Sequence, residues 1–363
     1  MHILILILLA AGRLFAAQDV WTGVERIVAV GDVHGDYEAF VAVLRSAGLI
    51  DQRARWTGAK AHLVQTGDVL DRGPNSRKVM DLLMALEKQA AKAGGRVHAL
   101  IGNHEAMNLY GDLRYVSAGE IAAFRTNDSA RVRDAYWEEY VKELKTKPSE
   151  QDKKKWEDER PLGWFEHRIQ FGPEGLYGKW IRSHNAVVKI NDSIYLHGGI
   201  SAKYASMPIG EINQAIAAEL NDFTKIKDGS IVTGEDGPLW YRGLAQGDPA
   251  AIAGDLDKAL QAFGVKRIVI GHTPTAGTVL PRFDGKVVMI DVGLSAYYGS
   301  RRACLVLERD KLYTVHRGQK IDLPAAGATD YLRYLKQAAA LDPAPSPLEA
   351  FAKEFEASLA KTR

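Results

Sequence analysis

The sequence predicts an α/β protein of four layers, in which two mixed β-sheets are sandwiched between helices and a helical insert interrupts them. Three observations predict it. Short apolar runs alternate with amphipathic helical stretches through the first hundred residues, which is the rhythm of β-loop-α units. Apolar runs return after residue 180, now close together and separated by turn residues. Between them, Leu113 to about Trp180 is charged and helix-patterned.

In order along the chain, Arg26 to Val30 is an apolar strand, and Tyr37 to Ala47 is a helix with Phe40, Val43, Leu44 and Ala47 on one face. Ala61 to Gln65 repeats the strand, and Ser76 to about Lys92 repeats the helix through Val79, Leu82, Leu83 and Leu86. Arg96 to Ile101 is a third strand. Parallel crossovers return each strand in the same direction, so the loops that follow these three strands share one sheet edge. In the insert, the Lys/Glu-rich run Glu150 to Arg160 reads as a solvated helical face, and the insert as a whole is placed to overhang that edge.

Ala186 to Ile190 and Ser193 to Leu196 form a hairpin about Asn191-Asp192. Helices near Ile212 to Leu220 and Ala250 to Phe263 precede a strand at Arg267 to Ile270. Antiparallel strands follow at Val279 to Arg282, Val287 to Ile290, Ala303 to Glu308 and Leu312 to His316. The Pro/Ala segment Asp342 to Pro347 sets off a terminal helix that reads as packing or tail.

Bulk properties narrow the partners. With 47 basic and 45 acidic side chains the formal net charge is +2, so no global field recommends nucleic acid or an anionic membrane. Any phosphate affinity must be local. The single cysteine, Cys304, sits in an apolar run without the arginine loop of a cysteine phosphatase, and reads as a structural thiol. Ile3 to Ala11 is wholly apolar, too short to span a bilayer, and followed by small residues at Ala16-Ala17. Residues 1–17 therefore read as a signal peptide, and the mature chain as periplasmic or secreted with no membrane span. Against this stand an n-region without lysine or arginine, and Arg13 within the segment.

Five short segments carry the chemistry. They are Gly31-Asp32-Val33-His34-Gly35, Gly67-Asp68-Val69-Leu70-Asp71-Arg72-Gly73, Gly102-Asn103-His104-Glu105, His197-Gly198-Gly199 and Gly271-His272-Thr273-Pro274. Each is expected in a loop directly after a strand. Asp32 and His34, two apart in an extended loop, project to one side and can bind an ion together. Asp68 is the natural bridge to a second ion, whose shell Asn103, His197 and His272 would complete. Nitrogen and oxygen donors without thiolate suit manganese, iron or zinc, giving two divalent or trivalent ions as cofactors. The remaining histidines, His62, His98, His167, His184 and His316, read as core or surface residues.

Such a pair lowers the pKa of a bridging water from roughly 15.7 towards about 7, which supplies hydroxide for in-line attack on phosphorus. His104, facing away from Asn103, can protonate the leaving group. Asp71 can hold that imidazole in the right tautomer; otherwise it pairs with Arg72 or caps the helix after Pro74. Arg72 offers a bidentate fork to phosphate oxygens, and Arg242 in Pro238-Leu239-Trp240-Tyr241-Arg242 is a second candidate clamp.

Taken in order, these five segments resemble the metallophosphoesterase signature, in the version carried by phosphoprotein phosphatases related to calcineurin. Pro274 stands where many metallophosphoesterases have a second histidine, as in the phosphoprotein phosphatase branch. Gln65 to Gly73, Gly102 to Asn108, Gly271 to Pro274, Pro238 to Arg242 and Asp291-Val292-Gly293 are similar to the bacterial Shewanella-like protein phosphatases. The resemblance covers roughly residues 25 to 318. It implies a metallophosphoesterase fold over residues 24–320 with the insert at 113–180, a helical tail at 328–363, and hydrolysis of phosphomonoesters on phosphorylated proteins or peptides. It also implies the same two ligand sets, with His104 and Asp71 as the acid and Arg72 and Arg242 as the clamps. Ile101, Val69 and the segment Leu294 to Tyr298 depart from the animal enzymes, so their regulatory contacts are not expected here.

Two other readings compete. A dinucleoside polyphosphate hydrolase or nucleotidase would use the same centre and need base-binding groups from the insert. A non-catalytic scaffold of this fold would be expected to have lost ligands, and none is missing. Sequence alone does not divide serine or threonine from tyrosine preference.

Overall fold

A computed structural model describes residues 18–309, 311–324 and 327–361. The expected signal peptide lies outside the described residues. The chain runs through β1 (Val20–Trp21), β2 (Arg26–Val30), α1 (Tyr37–Ser46), β3 (His62–Gln65), α2 (Ser76–Lys92), β4 (Arg96–Ala99) and α3 (Asn103–Tyr110). The insert then supplies α4 (Ala118–Ala122), α5 (Ser129–Glu143), α6 (Glu150–Glu159), α7 (Trp164–Phe171) and α8 (Leu176–Arg182). After it come β5 (Val187–Ile190), β6 (Ser193–Leu196), α9 (Ile209–Asn221), α10 (Gly243–Gln246), α11 (Pro249–Phe263), β7 (Arg267–Ile270), β8 (Leu280–Arg282) and β9 (Val287–Met289). The chain closes with β10 (Ala303–Glu308), β11 (Lys311–His316), β12 (Gln319–Asp322), α12 (Ala328–Ala339) and α13 (Pro347–Lys361).

Among the described residues the strands form two six-stranded mixed sheets, ordered β1-β5-β6-β7-β9-β8 and β12-β11-β10-β2-β3-β4. In the second sheet β2, β3 and β4 are parallel neighbours, as the three repeated units require. β2, an interior strand between β10 and β3, is buried from Ile27 to Val30, the near-continuous burial of a strand inside a covered sheet. α2 turns Val79, Met80, Leu82, Leu83, Leu86 and Ala90 inward, a stripe that matches its period. In α6 only Trp156 is buried, so the charged run is the solvated face that its composition implies.

Three expectations change, and two edge strands are new. Asn103 and His104 do not lie in a loop: they open α3, where the Glu105 carboxylate accepts from the amide of Gly102 at 2.8 Å and satisfies an otherwise orphaned helix donor. β9 is not purely antiparallel, since it pairs with β8 in that sense but runs parallel to β7. β1 and β12 are short, polar-flanked edge strands without a periodic signature. The C-terminal region is two helices packed on each other, α12 also against β12, with Tyr334 Oη donating to Val279 O at 2.6 Å. No helix among the described residues is long and apolar enough to cross a membrane.

Candidate metal centre

Asp32 follows β2, Asp68 follows β3, and Asn103 follows β4, all from one sheet. His197 follows β6 and His272 follows β7, from the other. The two sheets meet at Gly31, whose absent side chain lets the backbone of Ile290 and Asp291 approach: a Cβ there would stand 2.7 Å from the Ile290 carbonyl carbon. Beside that contact the five strand ends form one buried cluster.

Asp68 sits at its middle. Its Oδ2 lies 3.7 Å from His34 Nε2 and 3.7 Å from His104 Nε2, and its Oδ1 lies 3.2 Å from His197 Nε2. Two sets of donor atoms cluster tightly enough to hold an ion, His34 with Asp68 and His104, and Asp68 with His197 and His272. The first set contains His104 where the sequence suggested Asp32. Asp32 stays close, with Oδ2 3.9 Å from His34 Nε2, while its carboxylate accepts from the backbone amide of His272 at 3.0 and 3.2 Å.

The donor set fits metal. Nδ1 of His34 donates to Leu70 O and Nδ1 of His197 to Thr66 O, each at 2.9 Å, so both imidazoles present Nε2 towards Asp68. His197 Nε2 and the amide oxygen of Asn103 face one another at 2.8 Å, the spacing of neighbouring ligands on one ion. His272 Nε2 is buried with no hydrogen-bond partner. Charge points the same way. Burial and then Asp291 and Asp68 push the Asp32 carboxyl well above its usual range, and burial raises Asp291 to about 6. Burial acts the same way on Asp68, yet His197, His104 and His34 hold it well below the carboxylate norm. Burial lowers His34 to about 4. Buried carboxylates crowded among imidazoles that turn ring nitrogens on them call for a cation.

His104 and Asp71 form a hydrogen-bonded pair through Nδ1 and Oδ2, and Asn108 Nδ2 donates to Asp71 Oδ1 at 2.9 Å. Asp71 is therefore paired with His104, not with Arg72. Burial would lower His104, but the Asp68 carboxylate and Asp71 together raise it. The Arg72 guanidinium lies over the ring of Tyr115 at 4.0 Å and that of Tyr297 at 4.9 Å, and Nη1 donates to Tyr297 Oη at 3.3 Å. Arg242 commits Nη1 to His272 O at 2.8 Å and Thr273 Oγ1 at 3.0 Å, which ties it to the rim of the cluster.

Several residues of the site went unassigned from sequence. Glu105 accepts from the amides of Asp68 and Val69 at 2.7 and 2.8 Å, which fixes the Asp68 loop. Asp291 follows the apolar run of β9 as Asp32 follows β2, and that parallel was the available signal. Tyr115, Tyr297 and Tyr298 ring the site; Tyr298 stands 5.3 Å from His34 and Tyr115 5.2 Å from His104. Tyr115 lies in the insert, where nothing local marks it.

Comparisons with known proteins agree with this geometry. The family model for calcineurin-like phosphoesterases matches residues 25–276. An uncharacterised protein of Schizosaccharomyces pombe is 33% identical over 312 residues, covering 82% of each chain. Shewanella-like protein phosphatase 2 of Arabidopsis thaliana is 33% identical over 294 residues, 75% of this chain and 72% of that one. Among solved structures, the cold-active protein-tyrosine phosphatase of a psychrophilic Shewanella species superposes with a TM-score of 0.66 at 32% identity, covering 84% of this chain and 82% of that one. Its fold, its relatives and its buried histidine-aspartate cluster agree: the chain belongs to the calcineurin-like phosphoesterase family, beside the Shewanella-like protein phosphatases, and is a metal-dependent phosphatase.

Proposed function

We propose that this phosphatase acts on phosphoproteins and favours phosphotyrosine. Its two ions would be held by Asp32, His34 and Asp68 on one side, and by Asp68, Asn103, His197 and His272 on the other. The observation that carries the reading is the buried Asp68 carboxylate, flanked by the imidazoles of two donor sets, with the His104–Asp71 pair beside it. Manganese, iron or zinc suits these donors. When bound, such ions acidify a shared water and neutralise phosphoryl charge.

The chain's own side chains do the rest. Arg72, held flat by Tyr115, presents its guanidinium to two phosphoryl oxygens, and Arg242 supports the opposite rim. His104, with Nδ1 engaged by Asp71, directs Nε2 inward and gives its proton to the ester oxygen as it leaves. Tyr115, Tyr297 and Tyr298 wall this entrance with aromatic surface, against which a substrate ring can stack. Phosphoserine has no ring to stack there. The Shewanella relative, a protein-tyrosine phosphatase, supports the same preference.

The catalytic domain is taken as residues 24–320 with 113–180 as its insert and 328–363 as a helical tail. Export rests on the apolar leader, and the N-terminal sequence of protein recovered from the periplasm would test it. The reading of function is tested by kcat/KM on matched phosphotyrosine and phosphoserine peptides after chelation and manganese reloading, with a dinucleoside polyphosphate alongside. Faster turnover of the phosphotyrosine peptide is expected. Turnover of the nucleotide alone would replace the substrate class, and no chelator-sensitive turnover would leave a scaffold.

A further inference from the structure

Asp71 and Arg72 both adopt left-handed backbone, with φ of 69° and 66°. Two consecutive residues with side chains persist in that conformation only where their surroundings hold them. The holders come from the start of the insert. The Arg72 amide donates to Tyr115 O at 3.0 Å, Ser117 Oγ donates to Gly73 O at 3.0 Å, and the Asp71 amide donates to Glu120 Oε2 at 3.1 Å. Glu120 lies on α4 and is fully buried, and its Oε1 has no hydrogen-bond partner. A solvent-facing acidic residue would serve the helix just as well, so burying this one needs a local reason.

We propose that Glu120 is a positioning residue for the leaving-group acid. It holds the Asp71 amide, which keeps the Asp71 carboxylate under His104 Nδ1 and so aims His104 Nε2 at the ester oxygen. The assignment rests on reading His104 as that acid. Burial and the nearby Asp71 carboxylate push the Glu120 carboxyl well above its usual range, and glutamine reproduces both its shape and its acceptor oxygen. The insert thus contributes to proton transfer as well as to the wall of the site.

The test compares Glu120→Ala, Glu120→Gln and His104→Ala, each loaded with manganese, assayed for metal content, and then measured on aryl phosphates that span leaving-group acidity. Glu120→Ala should slow phenyl phosphate at least about tenfold more than 2,4-dinitrophenyl phosphate, with metal content unchanged. Glu120→Gln should restore most of the wild-type dependence on leaving group. In the zinc-loaded protein the Nδ1 proton resonance of His104 should move in the alanine variant and stay in the glutamine variant. If alanine does not fold, Glu120→Asp withdraws the acceptor by one methylene and carries the same expectation. An equal loss on all esters, or a glutamine variant that behaves as alanine does, overturns the assignment. If His104→Ala itself shows no steeper leaving-group dependence, the acid reading falls and takes this one with it, which separates the two failures.

Discussion

The backbone amide of His104 donates to Asp68 Oδ1 at 3.0 Å, while the imidazole of the same residue stands 3.7 Å from Oδ2. Main chain and side chain of His104 thus do different work, and two substitutions separate them. His104→Ala keeps the amide that orients Asp68, so metal content should stay intact while poor leaving groups slow by roughly 100-fold or more and an activated aryl phosphate slows far less. Equal losses on both esters would end its role as acid. Asp68→Ala removes the oxygen atoms shared by both donor sets and should lower bound metal; an unchanged metal count would remove Asp68 as the shared ligand.

Tyr115 gives Arg72 its platform. Replacing it with alanine removes a cation–π contact of about 1 kcal/mol, so kcat/KM on a phosphotyrosine peptide should fall roughly fivefold, chiefly through KM. Tyr115→Phe keeps the ring and should stay close to wild type. A phenylalanine variant as impaired as alanine would show that the ring is not the working part.

Gly102 lies where a Cβ would stand 2.6 Å from the Asp68 amide nitrogen and 2.8 Å from Glu105 Oε2. Neither neighbour can retreat, because Glu105 already binds the amides of Asp68, Val69 and Gly102. Gly102→Ala should therefore displace Asp68, reducing metal stoichiometry and lowering the melting temperature together. Full metal occupancy in a stable variant would contradict the close approach.

His167 is buried in the insert with neither ring nitrogen hydrogen-bonded, stacked on Phe171 at 4.4 Å and edge-on to Phe124 at 5.0 Å. Burial lowers its pKa to about 3, against 6.5 in the unfolded chain. The unfolded state therefore takes up a proton that the fold refuses: the stability is fully present above pH 6.5 and is lost as pH falls from there towards 3. Between pH 7.5 and 5.5 the loss is about 1.4 kcal/mol. Metal-free protein should melt lower at pH 5.5 than at 7.5, and His167→Leu should narrow that difference. An equal drop in both proteins would mean that His167 is not the group involved.

Much of the fold was legible because burial writes a period into local sequence. β2, β3, β7 and α2 announce themselves as apolar runs or stripes, and Asp32, Asp68, His197 and His272 each follow such a run beside glycine. α3 did not, because its first turn is made of polar residues and is held by Glu105 folding back on Gly102. β1 is two residues long and exists through its pairing with β5, a partner more than 160 residues away.

The sequence by itself determined which side chains stand at strand ends, since strand, turn and glycine are all written within a few residues of one another. Only the tertiary structure decided how they meet. That His104 reaches the Asp68 carboxylate alongside His34, that Asp291 stands beside Asp32, and that Tyr115 and Glu120 brace a left-handed loop more than forty residues earlier all depend on packing between segments remote in sequence. Periodicity records that a face is buried; what it is buried against depends on closure of the whole chain, which no local pattern encodes.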